Sequence, residues 1–150
     1  MGLLSWTLNV PGIVGLGEAC ALCERELAEE GERVSRLRDD FENRLLTLIP
    51  GLQRNGDLTN RLRHNSSLTF PNVDAEALIV NAPDLVLSTG SACTSGALEP
   101  SYVLQAVGLS REAAYRTLRM GLGRSTTRDE LDTAAQFLIG AFRSLAPTTA

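Results

Sequence analysis

Apolar residues in the first third of the chain recur every three or four positions, which is the period of an amphipathic α-helix. The pattern begins at Ile13 and ends before Pro50, and Gly31 is a point at which such a helix can bend. Its apolar members are Leu16, Ala19, Cys20, Cys23, Leu27, Val34, Leu37, Phe41, Leu45 and Leu48. We therefore predict one long N-terminal helix, preceded by an irregular segment over residues 1–12.

Shorter patterns fill the rest of the chain. The segments typical of strands are 51–63 (with a turn at Asn55-Gly56-Asp57), 66–70, 85–88 and 117–122. The segments typical of helices are 75–81 after an Asp74 cap, 100–108, 110–114 after Ser110, and one that begins with a Thr127–Glu130 capping box. This order predicts an α/β fold with a small sheet of about 3–4 strands flanked by helices. We expect a single domain over residues 1–150, with a frayed tail at 147–150.

The composition is that of an ordinary globular protein. The chain has 150 residues, of which 43% are hydrophobic and 21% are charged, so disorder is excluded. The net charge of −4 argues against a nucleic-acid-binding protein. We find no apolar run of transmembrane length and no basic segment typical of a secretory signal. Because the three cysteines are few and odd in number, a reducing compartment is expected, and we predict a cytoplasmic protein.

The basic residues exclude one kind of catalysis. All 14 residues counted as lysine or arginine are arginines, so the chain contains no lysine. A side-chain primary amine is required to form a Schiff base with a carbonyl compound. This chain therefore cannot carry out Schiff-base chemistry with its own side chains.

Cys93 lies in a segment rich in Gly, Ser, Thr and Ala, between a predicted strand and the proline that begins a predicted helix. Small residues let another molecule approach the backbone closely, and exposed loops are where a thiol can react. Two alternatives remain open from the residues alone: a reactive thiol, or an inert cysteine in a Gly/Ser-rich loop.

Four further residues are candidates for chemistry. Cys20 and Cys23 form a CxxC inside the long helix on its apolar side, which predicts buried free thiols. Zinc is not favoured, because the chain has no second CxxC and no pair of ligating histidines. His64 is interpreted as a surface or hydrogen-bonded histidine rather than a general base. Arg119 lies among apolar residues of a strand, where either a carboxylate ligand or an internal Asp or Glu partner would suit it.

Three stretches of the sequence resemble one enzyme family. Residues 88–104 (STGSACTSGALEPSYVL) resemble the active-site cysteine loop and following helix of cysteine desulfurases, which are pyridoxal-phosphate enzymes of the class V aminotransferase family. Residues 118–127 (LRMGLGRSTT) and 7–17 (TLNVPGIVGLG) resemble later and earlier segments of the same family. The amino-acid sequence of the cysteine loop is similar to that of the iron–sulfur-assembly and nitrogen-fixation branch of the family. The resemblance implies the fold of the small C-terminal domain of fold-type I pyridoxal-phosphate enzymes.

The resemblance implies roles for four residues. Cys93 matches the cysteine that attacks the substrate sulfur and becomes a persulfide. Arg119 matches the arginine that holds the substrate α-carboxylate, and Asn65 matches an asparagine near the substrate. Thr7 resembles, weakly, the threonine that contacts the cofactor phosphate.

No part of this sequence matches the family's cofactor domain, which includes the lysine that binds pyridoxal phosphate. We therefore expect no cofactor on the isolated chain and no autonomous desulfuration. The first methionine is interpreted as the start of a truncated gene product or an expressed fragment.

Three functions stay open: part of a split desulfurase, a sulfur-carrier or protein-binding module, and a structural remnant. The partners that this implies are a separate cofactor domain, a full desulfurase, or an iron–sulfur scaffold or other sulfur acceptor.

A homodimer is also predicted. In the family the small domain packs against the large domain, so its absence leaves apolar side chains uncovered. Contiguous exposed apolar surface is typical of an interface. The residues expected to form this surface are Leu3, Leu4, Trp6, Val10 and the apolar side of the long helix.

Overall fold

The computed structural model describes residues 8–89 and 101–146. Its elements are α1 (Val10–Leu48), β1 (Gln53–Arg54), β2 (Asn65–Thr69), α2 (Ala75–Asn81), α3 (Tyr102–Ala106), α4 (Arg111–Tyr115), β3 (Thr117–Gly121) and α5 (Arg128–Leu145). Four of the predictions concern residues outside the described part of the chain: the role of Thr7, the environment of Cys93, the apolar surface at Leu3, Leu4 and Trp6, and the frayed tail at 147–150.

Helix α1 begins three residues earlier than the sequence pattern predicted. The side chain of Asn9 accepts a hydrogen bond from the backbone N–H of Gly12 at 3.1 Å and so caps the helix. Pro11 lies in the first turn, where its missing N–H costs nothing because that group has no helical partner. The prediction of an irregular segment through residue 12 was therefore wrong for Val10, Pro11 and Gly12.

The sheet has three antiparallel strands in the order β1–β2–β3. In β2 and β3, Asn65 pairs with Gly121, Ser67 with Arg119 and Thr69 with Thr117. The predicted strand at 85–88 was wrong as a strand, because Ser88 forms only a single bridge to Arg119. The extended segment predicted at 51–63 contributes only Gln53–Arg54 as β1.

One face of the sheet supports the core, together with α2, α5 and the second half of α1. The fully buried large side chains at its centre are Leu45, Ile49, Leu68, Phe70, Leu78, Leu118 and Leu138. All three helices that follow the predicted caps are present: Asp74 accepts from the N–H of Glu76, Ser110 accepts from the N–H of Ala113, and Thr127 and Glu130 form a reciprocal capping box. The fold expected from the sequence, a small sheet flanked by helices after a long N-terminal helix, is confirmed.

The two halves of α1 differ in their surroundings. From Gly31 to Leu45 the helix contributes seven buried residues, whereas every residue from Val10 to Cys20 is exposed. Cys20 and Cys23 are both exposed free cysteines, so the prediction that they are buried was wrong. A 3.6-residue period shows which side of a helix is apolar, but burial requires another element on that side. Among the described residues, none from Val10 to Cys20 is buried, and farther along the helix Arg124 pairs with Glu26 at 2.7 Å and Arg63 donates to the carbonyl of Ala28 at 3.5 Å.

None of the helices in the described residues combines the length and apolar character needed to cross a membrane.

Candidate substrate site at the sheet edge

The register of β2 and β3 places Arg119 on the sheet face opposite the core. Side chains alternate across a strand, and directly paired residues share a face. Leu118 and Met120 are buried on the core side, so Arg119 and its partner Ser67 lie on the other side. Asn65 is two residues from Ser67 on the same strand and therefore shares that face. The structure thus brings together Asn65 and Arg119, the two predicted substrate-binding residues within the described part of the chain.

Arg119 is tied by its backbone to the segment that leads to Cys93. Its N–H donates to the carbonyl of Ser88 at 2.7 Å, and the N–H of Ser88 donates to the carbonyl of Arg119 at 3.3 Å. The guanidinium donates a long hydrogen bond of 3.5 Å to Ser88 Oγ. This bridge fixes the start of the cysteine segment beside the arginine.

The guanidinium of Arg119 has no internal acidic partner among the residues that the structure describes. Its side chain is exposed, and none of the ion pairs in residues 8–89 and 101–146 includes it. Of the two alternatives that the sequence left open, an internal Asp or Glu partner therefore finds no support in this part of the chain. An exposed guanidinium offers its planar fork of N–H donors to a carboxylate from solution.

Chain length limits how far Cys93 can lie from this arginine. Cys93 follows Ser88 by five residues and is outside the described part of the chain. An extended chain spans at most about 3.6 Å per residue, so Cys93 is within roughly 18 Å of Ser88.

A hydrogen-bonded row of polar side chains covers the rest of this sheet face. The amide of Asn55 donates to Ser67 Oγ at 3.2 Å and to Thr69 Oγ1 at 2.9 Å. The hydroxyls of Thr69 and Thr117 are 2.7 Å apart, and that of Thr117 donates to the carbonyl of Ala113 at 2.7 Å. Sequence reasoning missed this row, although the alternation of Ser67 and Thr69 with the apolar residues Leu68 and Phe70 was a usable signal.

A buried charge cluster anchors the residue that begins β2. Glu42 of α1 is completely buried and forms ion pairs with Arg61 and with Arg54, the latter at 2.8 Å. Arg61 also donates to the carbonyl of Asn65 at 2.9 Å. The buried carboxylate thus holds β1, the segment before β2 and Asn65 against one helix. Sequence reasoning missed this cluster, because interleaved acids and arginines are typical of a solvated helix face.

The segment before β2 has a second anchor on α1. The guanidinium of buried Arg38 donates to the carbonyls of Leu62 at 2.8 Å and Arg63 at 3.1 Å. His64 follows and is exposed, and its carbonyl accepts from the N–H of Leu122 at 2.8 Å. The exposed position agrees with the surface alternative for His64.

The turn after β3 is held by an arginine of α1. Arg33 donates to the carbonyls of Thr126 at 2.9 Å and Arg124 at 2.8 Å while it pairs with Glu30. The hydrogen bond from Arg33 lowers the pKa of the Glu30 carboxyl, and the same hydrogen bond raises the pKa of Arg33. These contacts fix the end of the strand that carries Arg119.

The fold and the sequence together define the class of protein. The family model for class V aminotransferases matches residues 4–133, so this chain belongs to the class V aminotransferase family.

Within that family the chain is similar to cysteine desulfurases. It is 44% identical to a cysteine desulfurase IscS of Anaeromyxobacter sp. (strain Fw109-5) over 96% of its own length, and 41% identical to one of Rickettsia typhi over 97%. Two solved structures are similar as well: a NifS-like protein (TM-score 0.80, 26% identity, 94% of this chain) and DndA from Streptomyces lividans (TM-score 0.55, 35% identity, 77% of this chain). The resemblance inferred from the three sequence stretches is therefore confirmed.

The chain spans about 36% of the length of these desulfurases. It also covers 36% of the NifS-like protein and 32% of DndA. The activity of a whole desulfurase therefore does not pass to this chain by similarity alone.

Proposed function

We propose that this chain supplies the sulfur-handling part of a cysteine desulfurase. In this proposal Arg119 binds the α-carboxylate of L-cysteine, Asn65 contacts the substrate, and the Cys93 thiolate attacks the substrate sulfur. The observation that carries the proposal is the backbone bridge between Ser88 and Arg119. It tethers the start of the cysteine segment to an exposed guanidinium that has no acidic partner in the described residues.

Pyridoxal phosphate does not fit the residues of this chain. The cofactor of this family is bound by a lysine, and the chain has none. Thr7, the weak candidate for a phosphate contact, is outside the described residues. In the proposed reaction the cofactor is therefore held by residues other than these 150.

The step assigned to Cys93 balances without an oxidant, but it needs an electron sink while the carbon–sulfur bond breaks. A bond forms between Cys93 Sγ and the substrate sulfur while the bond from that sulfur to the substrate Cβ breaks. The electron pair of the broken bond stays on the substrate carbon, which then takes a proton to give alanine. Since an electron sink for that pair belongs to a cofactor, we expect no desulfuration by this chain alone.

A sulfur carrier is the second candidate function, and the absence of lysine favours it. A carrier needs only a thiol that accepts sulfane sulfur from a complete desulfurase and passes it to an acceptor protein. We propose the cytoplasm as the compartment and a homodimer as the working state for both functions. Both fit a chain whose described cysteines are free thiols.

A transfer experiment tests both functions. The chain is incubated with a complete desulfurase of the family and isotopically labelled L-cysteine, and mass spectrometry locates any added sulfur. We expect one labelled sulfur atom on Cys93, and none after Cys93→Ser. Labelling of Cys20 or Cys23 in place of Cys93, or no labelling, would contradict the proposal.

Arg119→Gln separates the two functions. A carrier receives sulfur rather than L-cysteine, so its labelling does not depend on a carboxylate-binding arginine. A split enzyme must bind L-cysteine itself. When the chain is incubated with a separate cofactor domain in place of the complete desulfurase, we therefore expect Arg119→Gln to abolish the labelling of Cys93. Arg116→Gln, which changes a nearby arginine of the same chain, is the matched control.

A further inference from the structure

One hydroxyl beside Arg119 has no role in the proposed function. Ser67 is half-buried and lies directly opposite Arg119 in the pairing of β2 with β3. The backbone N–H and carbonyl of Arg119 bond to Ser88, so they point away from β2, and the carbonyl of Ser67 accepts from the N–H of Asn55 at 2.9 Å on the β1 side. Ser67 and Arg119 therefore form a non-hydrogen-bonded pair, in which the Cα atoms are only about 4.5 Å apart and the side chains lie closest.

The hydrogen bonds of the polar row show which hydroxyl protons are already used. Thr117 Oγ1 donates to the carbonyl of Ala113 at 2.7 Å, so its single proton is committed there. In the pair Thr69–Thr117, whose oxygens are 2.7 Å apart, Thr69 is therefore the donor. Thr69 then has no proton left for Asn55 and accepts from its amide nitrogen, 2.9 Å away.

The same accounting leaves the hydroxyl proton of Ser67 free. The amide nitrogen of Asn55 has a second N–H and lies 3.2 Å from Ser67 Oγ, so Ser67 accepts in this contact. Within residues 8–89 and 101–146, this is the one hydrogen bond that Ser67 Oγ makes. Since β2 is the middle strand, Asn55 occupies the β1 side of Ser67, and the free proton can point to the β3 side, where Arg119 lies.

A guanidinium and a hydroxyl on paired residues suit one carboxylate. A carboxylate has two oxygens, and each accepts charge-assisted hydrogen bonds of about 2.5–2.9 Å. One oxygen can therefore be bound by Arg119 while the other accepts the proton of Ser67. In the described part of the chain no acidic side chain pairs with Arg119, so a carboxylate from solution has both donors available.

We propose that the hydroxyl of Ser67 is a second donor to the substrate α-carboxylate that Arg119 binds, and that Asn55 positions this hydroxyl. The proposal rests on the proposed function, because it concerns the same substrate. Asn55 does not touch the substrate; it holds Ser67 Oγ as an acceptor and so directs its proton to the carboxylate. The interaction is binding only, and no bond of the substrate is broken by it.

Nuclear magnetic resonance titration of the full chain tests the two donors. L-alanine is the probe, since it has the α-amino and α-carboxylate groups of L-cysteine without the sulfur, and the backbone N–H signals of β2 and β3 report binding. We expect a saturable shift with L-alanine and none with L-alaninamide, which lacks the carboxylate. Ser67→Ala should weaken the affinity at least about tenfold, the loss expected for one hydrogen bond to a charged group, whereas Ser67→Thr, which keeps the hydroxyl, should stay within about twofold.

Ser66→Ala is the matched control. Ser66 precedes Ser67 on the same strand and is completely buried, and among the described residues its Oγ has no hydrogen-bond partner. Because neighbouring residues of a strand point to opposite faces, this substitution should leave the affinity for L-alanine unchanged. Circular dichroism and thermal unfolding confirm that each variant is folded.

A double-mutant cycle tests the positioning by Asn55. Since Asn55 acts through the hydroxyl of Ser67, Asn55→Ala should weaken L-alanine binding in the wild-type chain and have no further effect in Ser67→Ala. A purely structural contribution of Asn55 would weaken binding in both backgrounds, and that result would overturn its role.

Arg119→Gln separates this proposal from the proposed function. Binding that is lost in Arg119→Gln but unchanged in Ser67→Ala would overturn the role of Ser67 and leave the proposed function intact. Binding of L-alanine that does not depend on Arg119, or no binding to the wild-type chain, would contradict the carboxylate site of the proposed function and with it the role of Ser67.

Discussion

The two halves of helix α1 have the same hydrophobic period and opposite surroundings. Val34, Leu37, Phe41 and Leu45 are buried against the sheet and α5. Ile13, Leu16 and Leu27 are more than half exposed. The period therefore identifies a helix and its apolar side in both halves, but it does not identify the partner. In the second half the partner belongs to the same chain, whereas residues 10–20 are exposed throughout in the described part of the chain.

The charged residues of the two halves differ in the same way. Glu42 is fully buried and paired with two arginines, whereas the pair Glu18–Arg25 is 3.7 Å apart with both side chains more than half exposed. A buried pair loses much more when one partner is removed than a solvated pair does. Substitutions matched between the halves should therefore have unequal effects.

The largest effect is expected for Glu42→Ala. The substitution leaves Arg54 and Arg61 largely buried without a counter-charge, which costs about 3–5 kcal/mol in the free energy of unfolding. Glu18→Ala in the exposed half should change it by less than about 1 kcal/mol. Urea denaturation measures both. Equal effects would contradict the contrast between the halves.

Leu45→Ala should have the next largest effect. Leu45 is fully buried in the main core, so the cavity and the lost burial cost about 2–5 kcal/mol. Val14→Ala, in the exposed half of the helix, should stay within about 0.5 kcal/mol. Thermal and urea unfolding compare the two, and a cost of several kcal/mol for Val14 would mean that another part of the chain covers the first half.

A smaller effect is expected at the start of α5, which packs on the second half of α1. Thr127→Ala removes the hydroxyl that accepts from the N–H of Glu130 and should cost about 1 kcal/mol. Thr133→Ala, also on α5 but away from its cap, is the control and should cost less than about 0.5 kcal/mol. Unfolding curves that do not distinguish them would argue against the capping box.

The smallest effect is a pH dependence at Glu30. Its pKa is lowered in the folded state by the hydrogen bond from Arg33. A lowered pKa means that the stabilisation is present above the ordinary carboxyl pKa and is lost as the pH falls through the folded value. Glu30→Gln and Arg33→Gln should both remove the part of the acid-induced loss of stability that comes from the Glu30–Arg33 pair. Unfolding measured across the acidic range would contradict the assignment if neither variant changed the profile.

Much of the fold was predictable because its signals are local. The caps Asp74, Ser110 and Thr127 each place a hydroxyl or carboxylate where the first turn of a helix needs one, and all three are present. The strands 66–70 and 117–122 were predicted to within about a residue, the usual precision of such boundaries. The segment 85–88 failed because its apolar run pairs only at Ser88.

The site was predictable only in part. Asn65 and Arg119 came from a family resemblance, and strand register, which the sequence does not display, places them on one face. The burial of Glu42 depends on Arg54 and Arg61 arriving from distant positions, so no local pattern could reveal it. The burial of Cys20 and Cys23 was wrongly predicted for the same reason, because it depended on a partner element. The roles of Cys93, Thr7, Asn65 and Arg119 stay predictions.

The sulfur chemistry proposed for Cys93 depends on a cofactor held outside these 150 residues. The most direct measurement of this dependence is alanine production from L-cysteine by the purified chain with added pyridoxal phosphate and reductant. We predict no alanine and no absorption band beyond that of free pyridoxal phosphate. Multiple turnovers that disappear in Cys93→Ala would contradict this dependence, because the loss excludes a contaminating enzyme as the source.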